Sequence, residues 1–196
     1  MPNGENLRDA RLKSEELMVR AISLERTEAL PIALGLYRQA VALYPFNTEA
    51  QMQILRIARD LASTVTNAEV DAAGVSILVW GADEQRDEAR EFLGKNRIIR
   101  IIDSIVNNVD NWFDTCKKYS EDQGLRTSLA SFLAEYGDTQ RACQEYETLL
   151  DLYPDAISIY LKLYELNERE NPIKATETRN RFIKRFGKNH WEALFL

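Results

Sequence analysis

The amino-acid sequence predicts an all-α protein made of consecutive helical hairpins. Three observations carry that reading. Apolar residues recur at helical spacing almost throughout, and strict alternation is hard to find. Only 8 Gly and 5 Pro occur among 196 residues, too few turn-formers for a β-rich chain of this length. Helix start and stop signals cut the chain at short intervals.

Taken in order, those signals predict helices over 5–26, 31–44, 48–63, 67–80, 84–93, 97–119, 122–136, 139–152, 155–169 and 172–186, with a short tail helix over 190–195. Thr48 with Gln51, Thr66 with Glu69 and Ser120 with Gln123 have capping-box spacing, in which a hydroxyl and a Glu or Gln three residues on satisfy each other's orphan N–H groups. Asn171–Pro172 reads as an N-cap followed by proline at the first helical position. Gly94 and Gly187 read as helix stops. Loops of two to four residues oblige consecutive helices to run antiparallel and in contact. No long linker interrupts 1–196, so a single domain is expected.

Two helices stand out. The near-apolar run 72–82 is too short to cross a bilayer, which needs about 20 residues, and reads as a fully buried helix. In 97–119, Ile98, Ile102, Ile105, Val109, Trp112 and Cys116 form a heptad seam, widened by Ile99, Ile101, Val106 and Phe113. A stripe that broad is expected between two neighbouring helices. The alternative is a surface for a partner helix or a second copy.

The net charge of −6 argues against direct nucleic-acid binding, which needs a basic face. The charge is uneven: residues 172–190 hold Lys174, Arg179, Arg181, Lys184, Arg185 and Lys188 against Glu177, a net +5 that leaves the rest at −11. That segment is either a solvated helix face or a surface for an acidic partner, with Arg181 and Arg185 as candidate contacts. Cys116 and Cys143 stand far apart without CxxC spacing, which suggests neither a disulfide scaffold nor zinc and fits a reducing, cytoplasmic compartment. Residues 1–20 lack the apolar core of a signal peptide, and membrane insertion is not expected.

No catalytic or cofactor constellation is found. His190 is the only histidine, which excludes histidine pairs and zincin motifs, and it reads as a turn residue before the tail helix. Phosphate-binding glycine loops and nucleophile elbows are absent from the sequence. Asp83, Glu84, Asp87, Glu88 and Glu91 cluster, but Arg86 and Arg90 interleave with them at helical spacing, as on a solvated, ion-paired helix. The enzymatic alternative is an unfamiliar acid-based site with one desolvated carboxylate. Trp80, Trp112 and Trp191 lie in or beside apolar stripes and are expected in the core, as are Phe182 and Phe186, four residues apart.

Two segments repeat. Ala33, Tyr37, Ala40 and Pro45 match Ala142, Tyr146, Leu149 and Pro154 in spacing, and both segments end Leu-Tyr-Pro. Ala21 precedes the first; Leu129, Ala130 and Leu133 precede the second, and Tyr160 and Leu163 follow it. The pattern resembles the tetratricopeptide repeat, most clearly over 14–63 and 122–190, with a degenerate middle over 64–119. The two prolines lie 109 residues apart, about seven more than three 34-residue repeats. Residues 160–186 also resemble the half-a-TPR repeats of RNA-processing scaffolds.

The resemblance implies a right-handed α-α superhelix of four to five hairpins with a C-terminal capping helix. Tyr164, at a position the family keeps small, implies splayed helices there. Such a coil holds a peptide or helix of another protein in its groove, as an interaction adaptor or assembly chaperone and not as an enzyme. The alternative is a structural subunit of a larger complex, or a homodimer through 97–119. The repeat register points Gln53, Arg56, Arg59 and Lys162 into the groove. Met18 and Ile22 occupy the places where a carboxylate clamp needs Lys and Asn, so that clamp is not expected.

Overall fold

The computed structural model describes residues 4–26, 29–118 and 123–195. Among them lie twelve helices and no strand. They are α1 (Gly4–Glu25), α2 (Leu30–Leu43), α3 (Thr48–Asp60), α4 (Asn67–Trp80), α5 (Asp83–Leu93), α6 (Lys95–Asn107), α7 (Val109–Lys118), α8 (Gln123–Glu135), α9 (Thr139–Leu152), α10 (Ile157–Glu170), α11 (Pro172–Phe186) and α12 (Lys188–Ala193). They gather into two compact units, Met1–Glu121 and Asp122–Leu196. Within each, helices pack on their neighbours in chain order, and α3 also meets α5, α4 meets α6, and α8 meets α10.

In the first unit, Ala21 on α1 and Ala33, Tyr37 and Ala40 on α2 are fully buried. Small side chains let the two backbones close up: Ser14 Oγ on α1 donates to the Ala40 carbonyl at 2.8 Å. Asn47 Nδ2 donates in turn to Ser14 Oγ at 2.8 Å, while Asn47 Oδ1 accepts from Ala50 N at 3.0 Å. Asn47 is therefore the N-cap of α3 and a brace to α1. This corrects the capping box expected from Thr48, which is the first helical residue; Gln51 instead reaches the Pro45 carbonyl at 3.5 Å. Thr66 and Glu69 do form a capping box at α4. The box from Ser120 lies outside the described residues.

Helix α4 is buried at Val70 and at every position from Ala73 through Val79, as its apolar run predicts. Gly74 lets α5 and α6 approach, since a Cβ there would stand 2.7 Å from Ile101 Cδ1 and 3.0 Å from Leu93 Cδ1. Gly94 ends α5 at φ +70°, a backbone that side chains with a Cβ avoid, and starts α6. The helix expected over 97–119 is broken. Asn108 leaves helical geometry, its Nδ2 donates to the Ser104 carbonyl at 2.9 Å, and α7 begins at Val109. A side chain that offers the backbone a competing hydrogen bond is a physical reason for the break. Of the seam, Ile105 and Cys116 are buried, as are the flanking Ile101 and Phe113. Ile98 and Ile102 are half-buried, and Ile99 is exposed. Trp80 packs edge-on against Phe46 at 4.7 Å and lies 5.7 Å from Trp112.

In the second unit, Leu129, Ala130 and Leu133 of α8 meet Ala142, Tyr146 and Leu149 of α9, all buried. Asn171 caps α11 by accepting from Lys174 N at 3.3 Å, with Pro172 next, and Gly187 closes the helix at φ +93°. Phe182 is fully buried and Phe186 half-buried, as expected for the inner face of α11. Two readings need correction. His190 lies inside α12, which starts at Lys188, with its ring 6.0 Å from Phe182. Tyr164 stands against Trp191 and Phe195, at 4.9 and 6.0 Å, so its bulk meets the capping segment while α10 and α11 stay packed together.

Candidate functional site

The candidate contact residues lie on two kinds of surface. Gln53, Arg56 and Arg59 are on α3 and Lys162 is on α10; Arg181 and Arg185 are on α11. Each meets another side chain of its own unit. Gln53 Nε2 donates to Glu49 Oε1 at 3.0 Å, and Gln85 of α5 donates to the other Glu49 oxygen at 3.0 Å. Arg56 grips Glu88 of α5 with two hydrogen bonds, Nε to Oε1 at 2.9 Å and Nη2 to Oε2 at 2.7 Å. Among the described residues Arg59 bonds only its neighbour Asp60, at 3.3 Å, and it is exposed. Arg181 bonds Glu147 of α9 at 2.5 Å and Arg185 bonds Asp155 at 2.7 Å. The forked Arg56–Glu88 contact raises the guanidinium's pKa and holds the Glu88 carboxyl below its ordinary range.

These contacts share a sequence interval. Arg38–Glu69, Arg56–Glu88, Asp71–Arg97 and Glu147–Arg181 are separated by 31, 32, 26 and 34 residues. Each joins a helix to the helix two further along: α2 to α4, α3 to α5, α4 to α6 and α9 to α11. The basic residues thus clamp successive hairpins together. The acidic cluster is also largely committed: Asp83 and Asp87 pair with Arg86 and Arg90, and Glu88 with Arg56. Each exposed pair contributes about 0–1 kcal/mol, so the ladder sets register more than it supplies stability.

Lys162 belongs to a different network. Ser131 Oγ donates to the Thr127 carbonyl at 2.9 Å, so its lone pairs face two donors, Lys162 Nζ at 3.0 Å and Tyr146 OH at 2.8 Å. One hydroxyl joins α8, α9 and α10. Burial raises the Tyr146 pKa to about 12. Tyr37 holds the matching place in the first unit, and its buried hydroxyl makes no hydrogen bond among the described residues. The register explains why: Ser131 follows Ala130 as Ile22 follows Ala21, so an aliphatic side chain stands where a hydroxyl would be needed. Burial first, and then the Glu25 charge, hold the phenol proton.

Two features escape the sequence reading. Arg126 and Glu145 form a nearly buried ion pair between α8 and α9. Arg126 precedes Leu129 by three residues, where Tyr160 precedes Leu163, so a charge at an aromatic position was a usable signal. The second is a cleft of about 310 Å³ among α9, α10 and α11, with Cys143, Asn167 and Lys174 in its lining. Asn167 follows Leu133 by 34 residues and carries an amide where the earlier helix buries leucine. Among the described residues no group of His, Cys, Asp and Glu could hold a metal ion, and no helix is long and apolar enough to cross a membrane.

Two measurements follow from these contacts. Tyr37→Phe removes an unsatisfied hydroxyl and should be neutral or stabilising, whereas Tyr146→Phe should cost about 1 kcal/mol in urea unfolding, because it breaks a made bond. Equal losses would contradict the pairing described. Glu69 accepts from Arg38 Nε at 2.5 Å and from Thr66 N at 2.8 Å, and these bonds, that from Arg38 foremost, hold its carboxyl at about 2, below the ordinary 4.5. A depressed folded pKa stabilises above the ordinary carboxylate range and loses that effect as pH falls toward the folded value. Glu69→Gln should therefore be less stable near neutral pH by about 0.5–1 kcal/mol, discounted for the exposure of Arg38. The gap should close between about pH 4.5 and pH 2, and a gap independent of pH would show that the charge contributes nothing.

Compared with known proteins, the chain matches no family model, no curated protein and no solved structure.

Proposed function

We propose that this protein is an interaction adaptor or assembly chaperone that holds a peptide or helix of another protein along a groove lined by alternate helices, with the hairpins coiled in the manner of a tetratricopeptide superhelix. The observation that supports this most is the way polar side chains are fixed between alternate helices. Arg56 with Glu88 and Glu49 with Gln85 are partly buried and tied across α3 and α5, Gln53 joins the same Glu49 from within α3, and Ser131 and Lys162 are tied across α8 and α10. Rows held in one geometry bind at a smaller cost in side-chain ordering than mobile ones. Chemistry at the acidic cluster is the weaker reading, since it needs a desolvated carboxylate and most of these acids serve ion pairs on an exposed helix.

Arg59 is the most available of the candidate contacts on α3 and makes no inter-helix bond among the described residues. Charge reversal by Arg59→Glu should remove partners that co-purify with the wild-type protein, while the thermal unfolding curve stays unchanged. Retention of every partner by Arg59→Glu combined with Gln53→Ala would sink the groove reading.

The second reading is a structural subunit or homodimer, and the apolar face of α6 favours it: Ile99 is 47% exposed beside half-buried Ile98 and Ile102. Light scattering separates the two. A dimer converted by Ile102→Asp to a folded monomer supports the second reading; a wild-type monomer at high concentration removes the homodimer.

A further inference from the structure

Four of the ten residues that line the cleft in the second unit carry amides. Gln140 and Gln144 stand four residues apart on the exposed face of α9, Asn167 lies on α10, and Asn171 and Lys174 lie at the start of α11. Thr139, Cys143, Glu147, Leu163 and Glu170 complete the lining. Its volume of about 310 Å³ lies at the lower end of the range for ligand pockets.

Asn167 is the unusual member. It is 3% exposed, yet among the described residues its amide makes only two long contacts. The Cys143 thiol donates to Oδ1 at 3.8 Å, and Nδ2 donates to Thr178 Oγ1 at 3.5 Å. Thr178 spends its own proton on the Lys174 carbonyl at 2.9 Å. A carboxamide offers two N–H donors and two lone pairs, so half of this buried group's capacity is unused and the rest is poorly used. Underused amides in a buried position cost stability, and leucine fills the matching position one repeat earlier at no such cost. The amides of Gln140 and Gln144 make no bond to another side chain of the described residues.

We infer that this cleft is a second contact site, which takes a short extended segment of a partner protein and reads it through its backbone amides, with Asn167 pairing to one peptide group. The chemistry selects the occupant. A carboxamide presents a donor and an acceptor side by side, the complement of the C=O and N–H that an extended chain presents. The charges at the site, Glu170 and Lys174 with Glu147 already bound to Arg181, nearly cancel and favour no strongly charged ligand. The inference rests on the protein-holding reading but concerns a different surface, since Arg59 and Gln53 lie in the other unit.

The test is to select a phage-displayed library of linear peptides on the full chain and to titrate the selected peptides. Asn167→Leu restores the residue of the preceding repeat and should weaken binding by about tenfold or more, equivalent to about 1.4 kcal/mol. A Gln140→Ala, Gln144→Ala double variant alters only exposed side chains and should weaken it without affecting folding, which covers the case in which Asn167→Leu misfolds. Saturating peptide should also slow alkylation of Cys143 by iodoacetamide, with buried Cys116 as the internal control. Peptides that bind both variants as well as the wild type and leave alkylation unchanged overturn the inference. If those same peptides are lost on Arg59→Glu, the cleft fails while the adaptor reading stands. A library that yields no binding peptide overturns the inference too, and the co-purification experiment then decides the adaptor reading separately.

Discussion

Close approach of paired helices at alanine is the constraint on which the rest of this structure depends. Ala21, Ala33 and Ala40 in one unit, and Ala130 and Ala142 in the other, are fully buried. Where the side chain stops at Cβ, the neighbouring backbone comes within reach of short polar groups, and Ser14 can reach the Ala40 carbonyl. The aromatic residue four positions from Ala33 or Ala142 then fills the space beside the contact, and Tyr37 and Tyr146 are among the largest fully buried side chains. A larger residue at any of these alanines would separate the helices and strand the polar groups that short distances now satisfy.

From that close packing comes the division of labour among the charges. Helix pairs only about 10 Å apart bring the outer faces of alternate helices within reach of an arginine. Arg38, Arg56, Arg97 and Arg181 each span that interval to a carboxylate. In water such pairs contribute little energy individually, but each fixes the offset of one hairpin against the next. The Arg126–Glu145 pair differs because it is nearly buried, so losing either partner would leave an uncompensated charge in the core. Positive charge that looks like a recognition surface in a list of residues is, in space, largely mortar between repeats.

That distinction marks the limit of what the sequence could tell. Helix positions were legible because periodicity, caps and glycine stops are local: Thr66, Asn171, Gly94 and Gly187 all act as their neighbours suggest. The break at Asn108 was not, because an unbroken heptad says nothing about a side chain that diverts the backbone. The cap of α3 was misplaced by one residue because Thr48 and Asn47 are both good caps and only the contact with Ser14 separates them. The candidate contacts fell on real helix faces. Their partners Glu88, Glu147, Ser131 and Asp155 lie about one repeat away, a distance no local pattern reports. The cleft was invisible for the same reason, since it needs α9, α10 and α11 together.

The two units show how one hairpin design comes to offer different surfaces. At the 109-residue offset that relates the two Leu-Tyr-Pro segments, Ile22 answers to Ser131 and Gln53 to Lys162. In the second unit a hydroxyl binds the repeat's tyrosine and a lysine from the next hairpin, so three helices share one polar centre. In the first, the aliphatic side chain leaves Tyr37 alone, and Gln53 turns to Glu49. One substitution thus changes two contacts, because the hydroxyl that completes the tyrosine also anchors the lysine. Polar groups freed or bound in this way determine which donors and acceptors face outward, while the alanine contacts beneath them stay the same. Divergence of surface polarity on a similar helical framework needs no more than a few such exchanges, provided that they fall on the outer side of the packed alanines.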